Sequence, residues 1–328
     1  MFIDTELYFI GVLMMLISSI PVFIYLMYGR EPEVDYNAKY ETDLPTDDPP
    51  AIVNAICSDG TSKRVGVPNL DGFRATILDL IDRNYLLLSN KSGGNCSSGS
   101  LFLEINPDYD PDTLWNFEVQ VLDFLKKYER NGIISMDLIT ESLAYYNTSK
   151  LFKYTYKNWK KEVKKVIVDG NFKEAFHSKG DRYLKIFGFL GLVTAYIVFR
   201  YTSGYSKSIV VLCVILGAVS LISLVLPQKI AGQWTKYGRE YYAQWHSFKK
   251  YIKDYSLIKE YPPESVNVWN KYMVYATALG DADGVKKAMK LSFPEDQRQM
   301  GDIQLFHDCD DFIFSLIDNA FTAVFEQD

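Results

Sequence analysis

LYFIGVLMMLISSIPVFIYLMY (Leu7–Tyr28), LKIFGFLGLVTAYIVF (Leu184–Phe199) and SIVVLCVILGAVSLISLVL (Ser208–Leu226) decide how this chain folds. Each approaches the roughly 20 apolar residues that a helix needs to cross a bilayer. Backbone polar groups in hydrocarbon must bond within their own segment, so such runs read as helices. The first lies near the start of the chain. The other two form a hairpin around the short polar loop RYTSGYSKS, and residues 31–182 carry the mixed pattern of a folded soluble domain.

The flanks of these segments give an orientation. Lys160, Lys161, Lys164, Lys165, Lys173, Lys179, Arg182 and Lys185 precede the second segment or open it, and Lys229, Lys236 and Arg239 follow the third. The hairpin loop holds only Arg200 and Lys207. Basic residues collect on the cytoplasmic side. The expected topology is therefore three spans, with the N-terminus outside and both residues 31–182 and the C-terminus inside. The leader MFIDTEL is acidic and its apolar run is long, so the first segment reads as a retained helix rather than a cleaved signal. Pro21 inside it is tolerable in a membrane helix. On this topology the glycosylation-type sequences at Asn90, Asn95 and Asn147 stay inside.

Further out, residues 31–50 carry seven acids and one lysine and read as an acidic linker. PPAIVNAICS reads as a short helix opened by proline. Leu70, Phe73, Ile77, Leu80 and Ile81 recur at helical spacing, with Asp71 as the expected cap and Asn84 as a left-handed stop. Tyr85–Leu88 and Leu101–Ile105 read as paired strands around the tip NKSGGNCSSGS. The order helix, helix, strand, strand is that of a winged-helix unit. Pro111–Arg130 then reads as a helix ended by Asn131-Gly132. Ser135 starts another, and Phe152–Val168 is a long basic helix, which gives a second winged-helix-like unit with a reduced or missing wing. Trp234, Gly238, Tyr241, Trp245, Phe248, Ile252 and Tyr255 form a seam on one continuous helix, broken by Pro262-Pro263. Val266–Leu279 is a further helix. A last one, 304–325, has Phe312, Leu316, Phe321 and Val324 as its apolar positions.

The chemistry is sparse. Cys57, Cys96, Cys213 and Cys309 lack zinc or redox spacing and read as free thiols. Asp108, Asp110 and Asp112 alternate as calcium ligands do, but Pro111 interrupts them and position twelve is Val119, so helix capping explains them better. His177, His246 and His307 stand far apart, and no serine or cysteine has a recognisable base. The glycine-rich tip lacks the phosphate-loop pattern. A net charge of −6 gives no general affinity for nucleic acid. Residues 50–106 balance five bases with five acids, and the helix from Leu70 offers only Arg74 and Arg83, which disfavours DNA.

GREPEVDY after a membrane helix, DPPAIVNAI, and FRATILDLIDRNYLLL together resemble the YciQ-like predicted membrane proteins (domain of unknown function 2207). GREYYAQWHSFKKYIKDY and YPPESVNVWNKYMVYATALG are similar to that family's stretches after its hairpin of spans. The resemblance covers most of residues 29–280. It implies a membrane architecture in which other members carry an extracytoplasmic β-rich domain before the first helix, whereas this sequence opens at that helix. It implies no activity.

The expected fold is a mostly α membrane protein. It has an N-terminal span (1–30), an acidic linker (31–49), winged-helix-like units at 50–106 and 107–182, a transmembrane hairpin (183–227) and a helical region (228–328). The expected function is a non-enzymatic scaffold or adaptor at the cell membrane, with no cofactor, no metal and no evident small-molecule substrate. Alternatives are a membrane-tethered nucleic-acid regulator or an envelope- or transport-assembly component. Expected partners are the bilayer and a protein or a second copy. Trp234, Tyr241, Trp245 and Phe248 are a candidate interaction surface, set against the alternative that they pack on the soluble domain. Lys160, Lys161, Lys164 and Lys165 are candidate lipid-facing residues.

Overall fold

The computed structural model describes residues 2–58, 64–89, 101–170, 175–202, 204, 206–260 and 266–292, with 317, 321, 322 and 324 in the tail. The glycine-rich tip (90–100), Pro262-Pro263 and most of the 304–325 helix lie outside them, as do Cys96, Cys309, Phe312 and Leu316. In chain order the elements are α1 (Phe2–Tyr28), α2 (Pro50–Cys57), α3 (Leu70–Asp82), β1 (Leu86–Leu88), β2 (Phe102–Ile105) and α4 (Asn116–Lys126). There follow β3 (Glu129–Arg130), β4 (Ile133–Ser135), α5 (Met136–Leu143), α6 (Tyr146–Asp169), β5 (Phe176–His177), α7 (Lys179–Thr202) and α8 (Lys207–Val225). The last are α9 (Gln228–Ala231), β6 (Gln233–Trp234), α10 (Lys236–Lys253), α11 (Tyr255–Glu260), α12 (Val266–Leu279) and α13 (Ala282–Ser292). The protein is mostly helical and forms two compact units, one of Met1–Asp35, Lys63–Val65 and Phe172–Glu240, the other of Tyr36–Ser62, Gly66–Asn171 and Tyr241–Asp328.

The first unit holds three helices long and apolar enough to cross a membrane, Leu7–Tyr28, Lys179–Thr202 and Lys207–Val225. They pack on one another around Met14, Phe187, Ala195, Ile209, Cys213 and Leu216. Their outer faces expose Phe9, Leu16, Phe23, Phe189, Val214 and Leu221, which is the arrangement lipid tails accept. Close approach of α7 to α8 depends on glycine: a Cβ at Gly191 would stand 2.2 Å from Ser220 Oγ. Small residues at such contacts let membrane helices touch. Lys185 Nζ donates to the carbonyls of Leu224 and Leu226, each at 2.7 Å, and so closes the end of α8. In the same unit β5 pairs antiparallel with β6, setting Phe176 opposite Trp234.

In the second unit the strands make one antiparallel sheet in the order β1-β2-β4-β3. The pairing of Leu103 with Ile134 joins a strand expected in the 50–106 region to a strand in the 107–182 region, where only helices were expected. Asn131 and Gly132 adopt φ of 55° and 82° and form the tight turn between β3 and β4, not the end of a long helix. Pro111–Thr113 is accordingly a separate 3-10 turn, capped by Asp110 Oδ1 accepting from Asp112 N at 3.0 Å, and α4 starts only at Asn116. Ser135 caps α5 as expected, and Asn84 holds a φ of 59° after α3.

The cap of α3 is Asn69, not Asp71. Asn69 has the extended backbone a cap needs, and its Oδ1 accepts from the backbone N of Asp71 and Gly72 at 3.0 and 3.3 Å. Asp71 instead pairs with Arg74 at 2.8 Å. Fully buried Asn54 ties this cap to two other helices. Its Nδ2 donates to Asn69 Oδ1 and to the carbonyl of Ala278, both at 2.7 Å, so α2, α3 and α12 meet at one amide.

From Tyr36 the acidic stretch is an ordered strap. Ser247 Oγ donates to the carbonyl of Ala38 at 2.9 Å, Tyr275 OH to that of Asp48 at 2.8 Å and Tyr241 OH to the Asp48 carboxylate at 3.0 Å. Tyr272 OH donates to the carbonyl of Thr42. Burial, Asp79 and the strap acids push the Tyr275 hydroxyl above its ordinary value, so it stays a donor at neutral pH.

Candidate functional site

The aromatic seam is core. Tyr241, Trp245 and Phe248 are 3%, 0% and 0% exposed in the second unit, where Trp245 lies 4.9 Å from the Tyr275 ring and Phe248 5.2 Å from that of Tyr272. Trp234 belongs to β6, not to a continuous helix, and is buried against Phe176 at 5.0 Å in the first unit. Local hydrophobic period carries through Trp234, but Gly232 leaves the helical region and the strand pairs with a segment far back in sequence. Of the two readings of the seam, packing is the one these positions support.

The lysines lie on α6. Its inner face buries Phe152, Trp159, Val163 and Ile167, positions that recur at four and seven residues. Lys161, Lys164 and Lys165 are exposed on the opposite side, with Lys150 and Lys157 extending the row towards the start of the helix. Lys160 is half-buried, its ammonium 5.1 Å from the centre of the Tyr156 ring, and burial lowers its pKa. Tyrosines share this outer surface: Tyr145, Tyr146 and Tyr154 are 72%, 76% and 64% exposed. The sequence reading found the charge but not the tyrosines. Their signal was present in YYNTSKLFKYTYK, where tyrosines alternate with lysines out of phase with the buried Phe152 and Trp159.

The buried charges are engaged with one another. Arg83 Nη1 reaches Asp79 Oδ2 at 2.8 Å and Glu118 Oε1 at 2.7 Å, and its guanidinium lies over the Tyr85 ring. Glu118 Oε2 accepts from Trp115 N at 2.9 Å, so the same carboxylate caps α4. Burial raises the Asp79 pKa to about 6 despite the pull of Arg83, because one guanidinium serves two carboxylates. Two hollows in the second unit are lined by other residues. One, of about 460 Å³, is lined by Tyr40, Lys250, Lys253, Asp254 and Ser256. The other, of about 170 Å³, is lined by Asp71, Arg74, Thr277, Asp283 and Lys286. Asp108 and Asp112 donate backbone N–H to Asn106 and Asp110 in local turns. Among the described residues no group of histidine, cysteine, aspartate and glutamate has the arrangement of a metal site.

Three helices long and apolar enough to cross a membrane mark a membrane protein. The family model described as the C-terminal domain of a predicted membrane protein, DUF2207, matches residues 37–289, and the chain belongs to that family. The match begins within the strap and ends inside α13, before the described tail residues. No curated protein and no solved structure matches the chain.

Proposed function

We propose that this protein is a membrane-anchored, non-enzymatic scaffold whose second unit faces the cytosol and binds another protein. The observation that supports this reading is the exposed face of α6, where large exposed tyrosines in and just before its first three turns (Tyr145, Tyr146, Tyr154) adjoin a row of exposed lysines running from Lys150 to Lys165. Tyrosine supplies contact area at low conformational cost and lysine supplies attraction to an acidic partner. The buried ionisable cluster of Asp79, Arg83 and Glu118 serves capping and packing, which fits a structural role. The helix, helix, strand, strand order of 50–106, followed by the β3–β4 hairpin, is read as two winged-helix-like units fused through a shared sheet. The basic flanks of α7 and α8 favour the N-terminus outside and the C-terminus inside.

A photo-crosslinking residue in place of Tyr154, in the full chain in native membranes, tests the scaffold reading. The expected result is one reproducible protein adduct that Lys157→Glu with Lys161→Glu abolishes. Adducts with lipid alone would replace the protein partner by the bilayer surface and give the lysines their lipid-facing role.

A further inference from the structure

The smaller hollow of the second unit, about 170 Å³, lies where the start of α3 meets the turn from α12 into α13. A water molecule takes about 30 Å³ of liquid, so the space equals roughly five or six waters and suits a small ligand. Two cations are tucked into it: the side chains of Arg74 and Lys286 are 12% and 17% exposed. Arg74 is held from two sides, Nη1 donating to Asp71 at 2.8 Å and Nη2 to the Thr322 hydroxyl, so the Asp71 charge is already matched. The Lys286 ammonium stands 3.9 Å from the carboxylate of Asp283, whose side chain is fully exposed, so water weakens that contact. Ala282 and Asp283 also open α13, an 11-residue helix whose N-terminal end carries partial positive charge. The lining therefore favours an anion.

Thr277 is an independent sign. It is 8% exposed and lines the hollow, and its Oγ1 is buried with no hydrogen-bond partner among the described residues. Thr76 and Thr140 also stand in helices, and each returns its hydroxyl to the carbonyl four residues back, at 2.8 and 2.9 Å. Thr277 makes no such bond. A buried hydroxyl without a partner is unfavourable until something polar satisfies it.

We infer that this hollow is a binding site for a small phosphate-type oxyanion, either inorganic phosphate or the terminal phosphate of a larger molecule. Arg74 and Lys286 supply the charge, the Thr277 hydroxyl donates to a phosphate oxygen, and the first turn of α13 borders the anion. None of these residues belongs to α6, so the site stands whether or not that helix carries a partner.

The test is equilibrium dialysis of the full chain, in phosphatidylcholine nanodiscs, against radiolabelled inorganic phosphate at an ionic strength held constant with chloride. The expected result is saturable uptake of one phosphate per chain. Thr277→Val and Lys286→Gln should each weaken it at least about tenfold, while Lys161→Gln on the outer face of α6 leaves it unchanged. Thr277→Val removes an unpartnered hydroxyl, so its denaturant midpoint should be no lower than that of the unaltered protein, which separates lost binding from lost folding. Uptake that disappears when phosphatidic acid is added to the nanodisc assigns the site to a lipid phosphate, and uptake that persists assigns it to a soluble one. Three outcomes would overturn the inference: no saturable uptake below about 10 mM phosphate, either hollow variant binding as tightly as the unaltered protein, or Lys161→Gln lowering uptake as much as Lys286→Gln.

Discussion

At the scale of single residues, the fold turns on a few side chains whose partners are distant in sequence. Truncating Phe321 to alanine empties a site enclosed by the rings of Phe73, Phe124 and Phe152 and should cost about 3–5 kcal/mol, read as a lower denaturant midpoint for the second unit by tryptophan fluorescence. Asn54→Leu should cost on the order of 2–3 kcal/mol in the same assay, because it strips Asn69 and the Ala278 carbonyl of a buried partner. Asp79 gives a pH signature. Its carboxyl is raised from 3.8 to about 6 by burial, so the folded state holds a proton that the unfolded chain has released. Its contribution is present below pH 4 and is lost as pH rises from about 4 to about 6, on the order of 3 kcal/mol in all. Asp79→Asn should remove that part of the decline while leaving the rest of the pH profile in place. Asn54 and Asn69 show why such detail escapes a reading of sequence. LDGF offers Asp71 as a plausible cap, and only the amide of Asn54, fifteen residues earlier, makes Asn69 the better one.

At the scale of elements, what periodicity could carry was legible. α1, α7 and α8 are long apolar runs, and α3, α6 and α12 keep their inner faces at helical spacing. β3, β4, β5 and β6 were not legible, because strands of two or three residues contain too little pattern and these acquire their identity from partners elsewhere. Asn131-Gly132 was a readable hairpin signal, yet the apolar run before it favours a helix end. Both its residues sit at positive φ, so Gly132→Val should cost roughly 1–2 kcal/mol through backbone strain, measured by urea unfolding, with Gly132→Asn much milder. α13 was missed altogether, although Val285 and Ala288 of DADGVKKAMKLS are buried three residues apart. The surface proposed for interaction was half legible. The lysines of α6 were visible, but a sequence cannot separate the buried Tyr241 from the exposed Tyr154, since both lie in aromatic helices.

At the scale of the whole molecule, the second unit is discontinuous in sequence. The strap and α2 from before the hairpin of spans join α12 from after it. The proposed orientation makes a direct prediction. In intact cells or right-side-out vesicles, a cysteine at Gly204 should react with an impermeant thiol reagent and one at Tyr154 only after permeabilisation; the reverse pattern would invert the topology.

The amide of Asn54 also links residues that a ribosome makes at very different times. α2 and α3 leave the ribosome without α12, which packs on both and follows only after the hairpin has been synthesised. At translation rates of roughly 5–20 residues per second that delay is about 10–40 s. Completion of the second unit therefore waits until the hairpin has been synthesised, and a nascent chain stalled at the hairpin presents α2 and α3 uncovered to the cell's chaperones and proteases.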